Sequence, residues 1–145
     1  MITVKELLGH KGSHVVSIGK YATVVEAALL MNQRHVGAVV VMDGDHVEGM
    51  FSERDVLVRV VGERRDPATT RVEEVMTAEV VCCTPETTLE EARGSMKNRR
   101  IRHLPVVDGG RRLVGLISIG DLNAHQVTAQ EQTIHLLHEY LYGRV

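Results

Sequence analysis

The sequence predicts a mixed fold, α/β of the α+β type, built from two β-α-β-β-α units packed with pseudo-twofold symmetry. Three observations predict it. Residues 65 apart repeat: Val16 and Val81, Thr23 and Thr88, Glu26 and Glu91, Ala27 and Ala92, Met31 and Met96, Val41 and Val106. An additional residue in Gly109-Gly110-Arg111-Arg112 moves the spacing to 66, and there Gly49, Ser52 and Asp55 meet Gly115, Ser118 and Asp121. Each copy carries the same order of apolar runs, helix starts and turn signals, so the chain reads as a tandem duplication.

The elements follow in order. Each copy opens on a leader, Val4-Lys5-Glu6-Leu7-Leu8 and Val72-Glu73-Glu74-Val75-Met76. Short apolar runs at 15–18 and 80–83 read as strands. Thr23-Val24-Val25-Glu26 and Thr88-Leu89-Glu90-Glu91 are Thr-x-x-Glu capping boxes that start helices. Gly94 weakens the second helix by roughly 1 kcal/mol. Apolar runs at 38–42 and 104–107 meet Asp43-Gly44 and Asp108-Gly109-Gly110, and a further run completes each hairpin. A last helix opens at Ser-x-x-Asp. The reading divides the chain into unit one (1–62), a polar linker (63–71), unit two (72–127) and a tail (128–145). Half a unit cannot bury its own sheet, so the two sheets are expected to face each other. In the tail, Ile134, Leu137 and Leu141 form an apolar stripe ended by Gly143, which points to a homodimer.

Composition excludes several classes. Net charge is −2, Trp is absent and Phe51 is the single Phe, which leaves neither a basic field nor a stacking platform for nucleic acid. No apolar run approaches the ~20 residues of a membrane span, and the N-terminus lacks a signal-peptide pattern. Cys82 and Cys83 are adjacent, a spacing that rarely bridges, and read as reduced thiols. A cytoplasmic location is the default expectation. No Ser is set with a His and an acid in a nucleophile pattern. His125, His135 and His138 lack a Cys or carboxylate at ligand spacing, so neither catalysis nor a metal is expected.

The repeated leader, the repeated Gly-apolar-apolar-Ser-x-x-Asp ending and the β-α-β-β-α order resemble a pair of cystathionine-β-synthase (CBS) domains, the Bateman module, over residues 3–127. The resemblance implies a non-enzymatic regulatory protein that binds adenine nucleotides between its units. AMP is the first expectation, with ADP, ATP and NAD open, no cofactor required and an unidentified effector protein as target. The dehydrogenase barrel that carries such pairs in inosine-monophosphate dehydrogenase has no counterpart here.

The residues give that implication a physical form. Ser52 and Ser118 stand at helix starts, where free amides and the dipole favour phosphate. Asp55 and Asp121 lie one turn on and can accept hydrogen bonds from a ribose diol. Arg54 adds charge. The resemblance further assigns the adenine to the strand mouth, Ile101 and Pro105 in unit two and Val36 and Ala38 in unit one, and phosphate to the basic residues beside it, Arg99, Arg100, Arg102 and His103. Gly120 replaces Arg54 in the second motif, so the two sites are expected to differ. The same Ser-x-x-Asp is also a helix cap that needs no ligand. The alternative is therefore a ligand-free interaction module mediating dimer assembly.

Overall fold

The structure, a computed structural model, describes residues 2–125. In chain order come α1 (Val4–Lys11), β1 (Ser17–Gly19), α2 (Val24–Arg34), β2 (Ala38–Asp43) and β3 (His46–Ser52). Then follow α3 (Glu53–Asp55), continued by a π-helix (Val56–Val61), α4 (Val72–Val75), α5 (Leu89–Arg99), β4 (His103–Val107) and β5 (Leu113–Ser118). Residues 119–125 are helical. The expected tail helix lies outside the described residues.

Unit one holds a three-stranded sheet in which β1 runs parallel to β2, and β2 pairs antiparallel with β3. The hairpin turns through Gly44, whose φ of 60° is the left-handed conformation glycine adopts at little cost. Unit two keeps only the β4–β5 hairpin. Its expected first strand shrinks to one parallel bridge between Cys83 and Val106. Two prolines are the reason: Pro85, where the Lys20 N–H of unit one donates to the Met42 carbonyl at 3.0 Å, and Pro105. In unit one the Val40 N–H donates to the Val16 carbonyl at 3.2 Å. The repeat places Pro105 and Val81 at those positions, and proline has no N–H to donate. Cys83 still bonds the Pro105 carbonyl and the Val107 N–H, both at 2.9 Å.

Two cores form, and each is closed by the other unit's leader. Val72 and Val75 of α4 pack with Val24, Ala27, Met31, Val39, Val41, Phe51 and Val60 of unit one. Val4 and Leu7 of α1 pack with Ala92, Met96, Leu104, Val106, Ile117 and Leu122 of unit two. The backbone repeats the exchange. Val72 donates to Ala22 and Val24 to Thr70; Val4 donates to Thr87 and Leu89 to Ile2, all within 3.1 Å. The glycine of each repeated motif lies where the exchanged leader crosses: Gly49 meets Met76 and Thr77, and Gly115 meets Leu8.

Both helix caps expected from Thr-x-x-Glu are present, one of them in half. The Thr23 hydroxyl accepts the Glu26 N–H at 3.2 Å, without the return bond. Thr88 completes the box: its hydroxyl accepts the Glu91 N–H at 3.1 Å, and its own N–H reaches the Glu91 carboxylate at 3.0 Å. Those hydrogen bonds, with the Thr88 backbone first, hold the Glu91 carboxyl below its ordinary pKa. Thr88→Ala is expected to cost about 1 kcal/mol in chemical denaturation and, because alanine keeps the backbone N–H, to return Glu91 only part of the way to the ordinary carboxylate range by NMR titration. An unchanged midpoint would show that the cap contributes nothing.

Candidate functional site

A cleft of about 830 Å³ runs between the units. From unit one it takes Gly37, Ala38, Met50, Ser52, Glu53, Arg54, Asp55, Val58 and Arg59. Unit two supplies Thr77, Glu79, Val80, Val81, Arg100, Ile101, Arg102, His103, Ser118, Ile119 and Gly120. Of the residues the sequence singled out, Ala38, Ser52, Arg54, Asp55, Arg100, Ile101, Arg102, His103 and Ser118 thus face one shared space. Val36 lies instead on a smaller pocket of about 410 Å³ with His35, Gly37 and Glu53. Pro105 is buried inside β4, and neither Arg99 nor Asp121 lines the cleft.

The first motif is a complete capping box. Asp55 is 6% exposed, and its Oδ2 accepts the Ser52 N–H at 3.0 Å and the Ser52 hydroxyl at 3.2 Å. The other oxygen faces the Thr77 hydroxyl at 3.3 Å and the Arg59 guanidinium at 3.7 Å. These last two contacts are long, so Oδ1 is the side on which an incoming hydroxyl meets least competition. Neither Arg59 nor Thr77 was singled out in the sequence. Arg59 also donates to the carbonyls of Val75 and Met76 at 3.3 and 2.7 Å, tying the motif helix to the end of α4. Its spacing of four from Asp55 on a helical stretch was the available signal. Thr77 had none, because it arrives through the exchanged leader.

The helix starts offer phosphate less than expected. At the first motif the Ser52 N–H goes to Asp55, the Glu53 N–H to the Gly37 carbonyl at 3.0 Å and the Asp55 N–H to the Ser52 hydroxyl at 3.4 Å. The second motif repeats this through Ser118, Ile119 and Asp121, with Ile119 donating to the Arg102 carbonyl at 2.9 Å. Those amides are taken within the fold, and the guanidiniums bring further charge to an anion at the cleft. Arg54, Arg100 and Arg102 are exposed at the cleft, and none forms an ion pair among the described residues. Arg100 caps α5 in the left-handed conformation (φ 55°), where glycine is the usual low-cost choice. His35 caps α2 in the same conformation (φ 56°) at the equivalent place in the repeat, so the geometry belongs to the fold.

Beside these cations, burial pushes the His103 imidazole below its ordinary pKa, and Lys11 and Arg102 add to the effect against an opposing pull from Asp121. His103 is thus neutral at physiological pH, able to donate from one ring nitrogen and accept at the other. Neither cysteine lines the cleft: burial raises Cys82, and raises Cys83 to about 11, which favours the thiol over the thiolate. No cluster of metal-ligating groups occurs among the described residues, and no helix there is long and apolar enough to cross a membrane.

Comparison with known proteins adds an independent finding. The family profile described as CBS domain matches residues 2–62 and 72–127. The CBS domain-containing protein YhcV of Bacillus subtilis is 38% identical over 80% of this chain and 81% of its own. Among solved structures, the CBS-domain containing protein ATU1752 from Agrobacterium tumefaciens superposes with a TM-score of 0.80 at 38% identity, covering 86% of this chain and 98% of that one. The CBS domain protein PAE2072 from Pyrobaculum aerophilum, solved in complex with AMP, gives a TM-score of 0.75 at 28% identity over 83% of this chain and 89% of that one.

Proposed function

Since the chain belongs to the CBS-domain family, as a tandem pair, we propose that it is a regulatory protein that binds an adenosine-bearing nucleotide in the cleft between its units. It carries out no catalysis in this reading. The observation that carries the proposal is the gathering of Ser52, Arg54, Asp55, Arg100, Arg102 and His103 around one space of about 830 Å³. That volume lies in the range of small-molecule sites, ~300–1,000 Å³, and admits a mononucleotide or a dinucleotide such as NAD. Asp55 receives the ribose diol at Oδ1, displacing the long Thr77 and Arg59 contacts, and the three free guanidiniums receive phosphate. The AMP held by the Pyrobaculum relative makes AMP the first candidate. A ligand touching both units changes their spacing only by its differential affinity for the two arrangements. The signal passes to an effector protein, from a homodimer.

The test is a thermal-shift panel of AMP, ADP, ATP, NAD, S-adenosylmethionine and GMP at concentrations far above a micromolar dissociation constant. Adenosine-bearing ligands are expected to raise the midpoint by several degrees. GMP should not, and Asp55→Ala should lose the rise measured against its own baseline. A flat panel rejects the reading.

A second reading draws on a different observation. Leu57 and Val61, four residues apart on the π-helix, are 66% and 62% exposed, and exposed apolar side chains grouped on one element mark an interaction surface. An interaction module would give the flat panel, while Leu57→Glu would change the oligomeric state in light scattering.

A further inference from the structure

The two motifs meet different cations. Lys11 ends α1 and reaches unit two through the leader exchange. Its ammonium donates to Asp121 Oδ2 and to the Leu116 carbonyl, each at 2.5 Å. The same Oδ2 accepts the Ser118 N–H at 2.8 Å. Burial would raise the Asp121 pKa, but the hydrogen bonds from Lys11 and Ser118, with the lysine charge, outweigh it and hold the carboxyl below its ordinary value. Asp121 is thus held through Oδ2 in direct contact with an ammonium, whereas Asp55, though more deeply buried, lies on the cleft and meets its own cation, Arg59, only at 3.7 Å.

The asymmetry is written in the repeat. The leaders align 68 residues apart, Val4 with Val72, and that spacing carries Lys11 onto Glu79. Glu79 lines the cleft and, carrying the same sign of charge as Asp55, cannot pair with it. The first motif thus has no leader cation; the second has one in direct contact. The ammonium takes Oδ2 and sets a positive charge at the carboxylate edge into which a ribose diol would donate.

We propose that Lys11 is an internal occupant of the second motif, so that the chain holds one open nucleotide site at Asp55 and one self-occupied site at Asp121. The proposal rests on the nucleotide reading above. Lysine is a long, flexible side chain, so it can leave Asp121 without withdrawing Val4 and Leu7 from the core. The second site opens to whatever moves Lys11 off, and its occupancy is then coupled to the leader.

Isothermal titration with AMP tests this on the wild type, Asp55→Ala, Lys11→Met and Lys11→Met/Asp121→Ala, since methionine keeps an apolar stem and removes the charge. The wild type is expected to bind one AMP per chain, lost in Asp55→Ala. Lys11→Met should bind a second, lost again when Asp121 is also replaced. A wild type that already binds two per chain, or a Lys11→Met variant with wild-type stoichiometry and affinity, overturns the proposal and leaves the nucleotide reading standing. Absence of binding in all four proteins overturns both. The pairing has its own readout in carboxyl NMR: Asp121 should titrate at higher pH in Lys11→Met than in the wild type, because burial is then less opposed. An unmoved midpoint refutes the contact.

Discussion

Leu7→Ala is expected to cost about 2–5 kcal/mol and to loosen the half of the chain farther from it in sequence. Leu7 is 6% exposed among Ala92, Met96, Leu104 and Ile117 of unit two. Truncation leaves a cavity in that core and none in the core of unit one. Amide exchange should therefore quicken first in β4, β5 and α5, through local opening of the second unit. Val75→Ala, at 2% exposure in the other core, should send the change to β2, β3 and α2 instead. Such a crossed pattern is the signature of exchanged leaders. If Leu7→Ala instead loosened residues 17–52 first, each leader would be serving its own unit, and the route by which Thr77 and Lys11 reach the opposite motifs would be lost.

That exchange also marks the limit of what the sequence discloses. The duplication, the hairpin at Asp43-Gly44, the Thr23 and Thr88 caps and the Ser-x-x-Asp helices follow from local chemistry at fixed spacing, so each was legible. An alignment of repeats is the same whether a leader joins its own core or its neighbour's, so the exchange was not. For the same reason Thr77 and Lys11 stayed hidden: each meets its aspartate across 22 and 110 residues. At the helix starts a capping residue and a phosphate compete for the same amides, and the Ser52 and Ser118 N–H groups are bonded to Asp55 and Asp121. The lost strand at 80–83 was readable in principle. Pro105 stands where Val40 donates in unit one, and a proline inside a pairing strand removes one ladder bond.

Gly49→Ala and Gly115→Ala should separate, although the two glycines hold the same place in the repeat. A Cβ on Gly49 would lie 2.6 Å from the Thr77 carbonyl oxygen and 2.7 Å from the Met76 sulfur. The carbonyl belongs to a backbone pair, Met50 with Thr77, bonded in both directions at 3.0 and 2.9 Å, so it cannot yield without breaking that pair. Overpacking of this kind costs about 1–3 kcal/mol. A Cβ on Gly115 meets only the Leu8 methyls, at 2.8 and 2.9 Å, and a leucine tip can rotate away; the expected cost there is under ~1.5 kcal/mol, as for tolerated volume changes. Urea denaturation of both variants measures the difference. Gly49→Ala should in addition weaken any nucleotide shift, because displacing Thr77 moves the hydroxyl that faces Asp55 Oδ1. Equal costs would mean that Thr77 is free to move and that Asp55 is positioned by its capping box alone. A larger cost at Gly49, with a diminished ligand response, would give the glycine of the repeated motif a share in the site: it admits the neighbouring leader close enough to complete the wall around the aspartate six residues later.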